Sequence, residues 1–226
     1  MHNAILETAH TEEVRFAGDG VALAGQLDFP NTRPPAQGYP LVFVLHHAGY
    51  NTREAYAYYS EIGRACGYAV FTWDKRGTGR SGASGKGSTT RDTLYAYHAA
   101  VSHESINAER VVIVAVGAGT TMLGAAFDDF AQIQPPAGVV LAGNMLDPQA
   151  ILAINAPVQI IVGESDWIPW QLFGKAAAKA HNAHYTHGAT FYLAENTDRT
   201  MMDVRAHAPR FSEMVGQTIY EWLKRR

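Results

Sequence analysis

The chain has 226 residues, 47% hydrophobic and 17% charged, with a net charge of −3 when its histidines are neutral. That length buries one sizeable core, so a single domain over residues 1–226 is expected, and the lack of a basic stripe excludes nucleic acid as an expected partner. The single cysteine, Cys66, rules out an internal disulfide. No basic start leads into an apolar core and no apolar run nears the ~20 residues that cross a bilayer, so the cytoplasm is the expected location, with neither signal peptide nor membrane association.

In chain order, EVRFAGDGVALAGQLDFP reads as two strands around a Gly-Asp-Gly turn, an N-terminal antiparallel hairpin. NTRPPAQGYP is a polar, proline-rich loop. LVFVLHH begins as a continuous apolar run, the pattern of a strand buried on both faces. A helical stretch from Arg53 to Cys66 leads to the strand YAVFTWD. RDTLYAYHAAVSHES is helical, with Asp92 placed to complement its N-terminal end. RVVIVAV is a strand, TTMLGAAFDDF a helix and AGVVLAG a strand. PVQIIVGESD, WQLFGKAAAKAHNAH and ATFYLAE read as strand, helix and strand, and RFSEMVGQTIYEWLKRR closes the chain as an amphipathic helix with a basic last turn. The alternation predicts an α/β fold, a mostly parallel central sheet with helices on both faces. Ligands bind such sheets outside the carboxyl ends of the strands, so the residues that follow each strand are the informative ones.

Four stretches at those strand ends resemble the α/β-hydrolase superfamily, in a compact form similar to the dienelactone hydrolases and small esterases. VLHHAGYN is similar to the family's His-Gly oxyanion loop, and WDKRGTGRSG to its Asp-x-Arg-Gly-x-Gly-x-Ser segment. PVQIIVGESDWIPW is similar to the strand and turn that deliver the catalytic acid, which places Asp166 in that position, and LAENTDRTM to the Gly-Ala-Asp-His-Thr-Phe turn. The resemblance spans nearly the whole chain. It implies the α/β-hydrolase fold with no cap domain, because only about a dozen residues separate AGVVLAGN from PVQII. No cofactor and no metal are expected.

The family's nucleophile sits on a strained strand-to-helix turn flanked by small residues. Two registers fit. In the preferred one, Ala115-Val116-Gly117-Ala118-Gly119 is the turn and Gly117 holds the nucleophile's place; in the other, Gly117-Ala118-Gly119-Thr120-Thr121 is the turn and Gly119 holds it. Both put glycine where a serine or cysteine belongs. The resemblance also sets Arg199 where the family's imidazole stands. A guanidinium stays protonated at any ordinary pH and cannot shuttle a proton. What remains is an expected hollow with backbone N–H groups of Ala118 and near Ala48, an Asp166–Arg199 ion pair beside it, and walls from His47, Asn144 and Trp167.

Three functions follow as expectations. The first is a protein of this fold that binds a small, possibly anionic molecule, or performs non-hydrolytic chemistry. The second is an ester or lactone hydrolase with a non-standard nucleophile or base, for example Thr120 or water with His47 or His187. The third is a non-catalytic scaffold. Plainer readings stand beside the site readings. Glycine relieves strain at the turn; Thr120 and Thr121 bond backbone in a first helical turn; His46 bonds loop backbone; Tyr56, Tyr58 and Tyr59 alternate between surface and core. Trp73, Asp74 and Ser81 are scaffold, and His181, His184 and His187 are a solvated helix end before they are a zinc site. GAGTTMLG gives G-x-G, but Met122 stands where a dinucleotide-binding turn needs its third glycine.

Overall fold

Alternation within the apolar runs decides which side chains reach which face of the sheet. In strand β3 (Tyr39–Leu45), Leu41, Phe43 and Leu45 enter one buried layer while Val42 and Val44 enter the other. The computed structural model describes residues 10–49 and 51–226, with the backbone alone for Ile168. The first nine residues, on which the signal-peptide reading rests, and Tyr50 of the VLHHAGYN stretch lie outside the described residues.

The remaining strands are β1 (Thr11–Ala17), β2 (Ala22–Asp28), β4 (Ala69–Asp74), β5 (Ile106–Val116), β6 (Gly138–Ala142), β7 (Val158–Gly163) and β8 (Ala189–Ala194). They form one eight-stranded sheet in the order β1-β2-β4-β3-β5-β6-β7-β8. The β1–β2 hairpin is antiparallel, β2 meets β4 antiparallel, and every other pair is parallel. Helices α2 (Thr89–Val101), α3 (Ala118–Ile133) and α4 (Ile168–His184) cover one face. Helices α1 (Ala57–Ala65) and α5 (Glu213–Leu223) cover the other. Leu123, Phe127 and Phe130 give α3 one buried stripe, and Val215, Ile219 and Trp222 do the same for α5. Each such side chain contributes about 1.5–3 kcal/mol on burial. Residues 143–157 join β6 to β7 and contain only a short 3-10 turn, Ala150–Ala153, so no cap is inserted there. Among the described residues no helix is long and apolar enough to cross a membrane.

Several stretches differ from the sequence reading: Arg53–Tyr56 is a 3-10 turn ahead of α1, and α2 ends at Val101 and does not run on through His103, Glu104 and Ser105. The fifth strand starts at Ile106, ahead of RVVIVAV, because Tyr39 pairs with Ile106 before the register shifts. Asp92 lies in the first turn of α2 as expected, but its carboxylate is turned to Arg76, at 2.8 and 2.9 Å, and to the Asp19 N–H at 2.9 Å. A buried carboxylate gains more from a guanidinium than from a helix end.

The scaffold around the site is tied to Asp74 at the end of β4. Its carboxylate accepts from the Arg53 N–H (2.9 Å), Arg53 Nε (3.0 Å) and Nη2 (2.7 Å), and the Arg80 N–H (2.9 Å). Burial alone pushes the Asp74 carboxyl up, but Arg53 and the two amides outweigh it and hold the group below its usual range. Gly79, at φ 49°, lets the loop close on this carboxylate; a Cβ there would lie 2.4 Å from its carbon. Arg53 is 4% exposed and Asp74 1%. Removing one partner strands a buried charge, so Arg53→Ala is expected to cost about 3–5 kcal/mol in urea unfolding. A loss below about 1 kcal/mol would show the pair to be incidental.

Candidate functional site

The chain leaves β5, turns once and enters α3, and the turn residue is Gly117. Its φ of 51° and ψ of −117° are costly for any residue with a Cβ. The Gly117 N–H donates to the Ala142 carbonyl at 2.8 Å, and its own carbonyl accepts from Thr120 N–H and Oγ1. Gly119 lies one residue into α3. A Cβ there would press on Leu45 and on the His46 carbonyl at 2.5–2.7 Å, so its glycine serves the close approach of helix to strand.

Above Gly117 stands the His47 ring. A Cβ built on Gly117 would lie 2.1 Å from His47 Nδ1. That nitrogen accepts the Ala118 N–H at 2.9 Å, which corrects the expectation of a free anion-binding amide: the first turn of α3 already has an acceptor. The bond leaves Nδ1 without a proton, so the neutral ring carries its proton on Nε2. Burial, then the charges of Lys75 and Arg199, push the His47 imidazole below its ordinary range and favour that neutral form. Its backbone is also pinned. The N–H donates to Tyr56 Oη at 2.9 Å and the carbonyl accepts from Lys75 Nζ.

Asp166, at the end of β7, accepts from Arg199 Nε at 3.0 and 3.1 Å, from Nη2 at 2.6 Å, and from the Trp167 N–H at 2.7 Å. The bonds to Asp166 raise the Arg199 guanidinium further. Its carbon lies 5.4 Å from the Trp167 ring centre and 5.7 Å from that of Trp170, within cation–π range. Two glycines admit the Arg199 segment. At Gly143, φ 73°, a Cβ would lie 2.2 Å from the Arg199 carbonyl, and at Gly163 one would lie 2.3 Å from that of Thr197.

The structure therefore brings His47, Gly117 and Ala118 together, and separately Asp166, Arg199 and Trp167. A cavity of about 460 Å³ adjoins the first group, lined by His46, His47, Ala48, Gly49, Trp73, Lys75, Arg76, Thr89, Asp92, Ala118 and Met122. Asn144 does not line it: it is fully buried, and both ends of its amide are used by Leu146 at 2.9 and 3.1 Å. Thr120 is fully buried too, with its hydroxyl donating to Gly117 and accepting from Met145, so it is a turn brace. His181, His184 and His187 gather around Tyr185 by the start of β8, at the opposite edge of the sheet, and no metal-binding group of side chains occurs among the described residues. Lys75 went unnoticed in the sequence, where it sits inside a stretch read as scaffold.

His46 does not bond the loop backbone as expected. It is 3% exposed, stacked between Tyr56 (4.4 Å) and Trp73 (5.0 Å), and neither ring nitrogen has a partner among the described residues. Burial, then Lys75, pushes it from 6.5 down to about 3 against the opposing pull of Asp74. The unfolded chain takes up this proton first, so the contribution of neutral His46 is present above pH 6.5 and is lost as pH falls toward 3. Unfolding at pH 7 and 4.5 is expected to show roughly 2–3 kcal/mol more loss in wild type than in His46→Phe. Equal losses would show His46 to be protonated or hydrated in the fold.

No family model matches the chain, and no curated protein matches it. Solved structures do. An esterase domain of a Rhodothermus marinus protein is 17% identical, with a TM-score of 0.66 over 96% of this chain and 99% of that one. A dienelactone hydrolase from Anabaena variabilis is 18% identical, with a TM-score of 0.68 over 96% and 98%. A dienelactone hydrolase-like promiscuous phosphotriesterase from metagenomic libraries is 13% identical, with a TM-score of 0.68 over 96% of each chain. With the strand order, the antiparallel leading hairpin and the turn at Gly117, these likenesses establish that the chain has the α/β-hydrolase fold.

Proposed function

We propose that this protein binds a small molecule in the cavity beside His47 and does not carry out hydrolysis through a covalent intermediate. One observation carries the reading: the strained turn from which a nucleophile would project is Gly117, and the space above it is filled by an imidazole that already holds the Ala118 N–H. Covalent catalysis needs a hydroxyl or thiol within reach of a base. In the place corresponding to the family's base, Asp166 holds Arg199, a permanent cation that can neither accept nor return a proton. Loss of the nucleophile or the base alone costs about a millionfold in kcat in a serine hydrolase.

The ester-hydrolase alternative finds no support in its own residues. The Thr120 hydroxyl is buried and occupied, His187 lies at the far edge of the sheet, and His47 Nδ1 is committed to Ala118. The esterase and dienelactone hydrolase activities named for the structural neighbours belong to those proteins.

A fluorophosphonate probe is expected to leave no adduct on the chain by intact-mass measurement, and p-nitrophenyl acetate is expected to turn over at the buffer rate. Gly117→Ser is expected to stay inert as well, because its Cβ has no room beside the His47 ring and the Nδ1 that faces it is committed to the Ala118 N–H. Turnover that disappears in His47→Ala or Thr120→Ala would overturn the proposal.

A further inference from the structure

The charge of the cavity wall leads to the class of molecule it takes. Its charged side chains are Lys75, Arg76 and Asp92. Arg76 and Asp92 neutralise each other at 2.8 Å. Lys75 is left over. No carboxylate among the described residues pairs with it, and it donates to two neutral carbonyls, those of His47 and, at 3.2 Å, Gly49. An ammonium has three N–H donors, so two are used and one remains. Burial pushes the Lys75 amine down, the mark of a cation short of both water and a counter-charge.

One further polar ring faces the same cavity. The His47 ring, with Nδ1 committed to Ala118, has its other nitrogen as a donor in the neutral form. His46 lies beneath this wall, stacked between Tyr56 and Trp73, with both ring nitrogens closed off from the cavity. The rest of the lining includes Trp73, Met122, Ala48 and Ala118, which suit an apolar body. One uncompensated cation, a neutral imidazole and an apolar wall describe a particular guest.

We infer that the cavity selects a small organic monoanion, a carboxylate on an apolar body, whose charged end is anchored by the free N–H of Lys75 beside His47. A dianion would leave one charge unmatched, and a neutral molecule would leave the ammonium without a counter-charge. Lys75 is placed for this by the loop wrapped on Asp74, since it follows the anchored carboxylate directly in the chain. The inference rests on the reading of the cavity as a non-covalent binding site.

Phenylacetate and its neutral counterpart phenylacetamide, titrated by calorimetry into the full chain, test it. Phenylacetate is expected to bind at least about tenfold more tightly, the scale of one charge-assisted hydrogen bond. Lys75→Met is expected to erase that preference while phenylacetamide still binds, with a cooperative thermal transition at a lowered midpoint because the His47 and Gly49 carbonyls lose their donor. Equal affinities, a preference that survives Lys75→Met, or no binding of either compound at millimolar concentration would overturn it. Hydrolysis of p-nitrophenyl phenylacetate in the same samples separates the two ideas. Turnover with the preference intact would sink only the non-hydrolytic reading, and inertness with no preference would sink only the Lys75 anchor.

Discussion

The Ala118 N–H points out of the first turn of α3, where a helix has N–H groups without intrahelical acceptors, and His47 Nδ1 accepts it. That hydrogen bond fixes the ring over Gly117, fixes which nitrogen carries the proton, and decides what the site can still offer. The ring is held from its backbone as well, through Tyr56 Oη on one side and Lys75 on the other. Glycine at residue 117 is the complement of this arrangement. Its positive φ makes the sharp turn, and its missing Cβ makes the room. A side chain at residue 117 and this placement of His47 exclude each other sterically, so the two residues have to be considered as one unit.

The same coupling extends outward through short steps. Asp74 gathers Arg53 and the Arg80 amide, and the loop so formed presents Lys75 to the His47 carbonyl. Tyr56, whose hydroxyl accepts from His47, stacks on His46, and His46 stacks on Trp73. A buried ion pair and an aromatic stack thus position a site that carries few of its own polar contacts. Asp166 and Arg199 form a second, self-satisfied unit flanked by Trp167 and Trp170, with Arg199 felt by His47 only through its charge.

Much of the fold was legible because two-residue alternation survives in strands buried on both faces: the large Leu and Phe of β3 go one way and its Val residues the other. The Asp166–Arg199 contact was legible too, since complementary charges placed by a family resemblance at neighbouring strand ends have little else to pair with. The place of His47 was not. A histidine after a strand can turn toward either side of the loop, and only the shape left by Gly117 decides it. Lys75 was hidden for a different reason. Its neighbours Asp74 and Gly79 build scaffold, and the sequence does not say that the one cation between them left unpaired by a carboxylate faces a cavity. Asn144 erred in the other direction, because a polar residue at a strand end can spend its whole amide on its own turn.

The site turns on the neutral His47 ring with an unprotonated Nδ1 on the Ala118 amide. Long-range proton–nitrogen NMR of the imidazole reads this directly in solution. At neutral pH His47 is expected to be the tautomer with its proton on Nε2, with Nδ1 at the shift of an acceptor nitrogen and the Ala118 amide proton coupled across the bond. An imidazolium at neutral pH, or a proton on Nδ1, would contradict it and would reopen the space above Gly117.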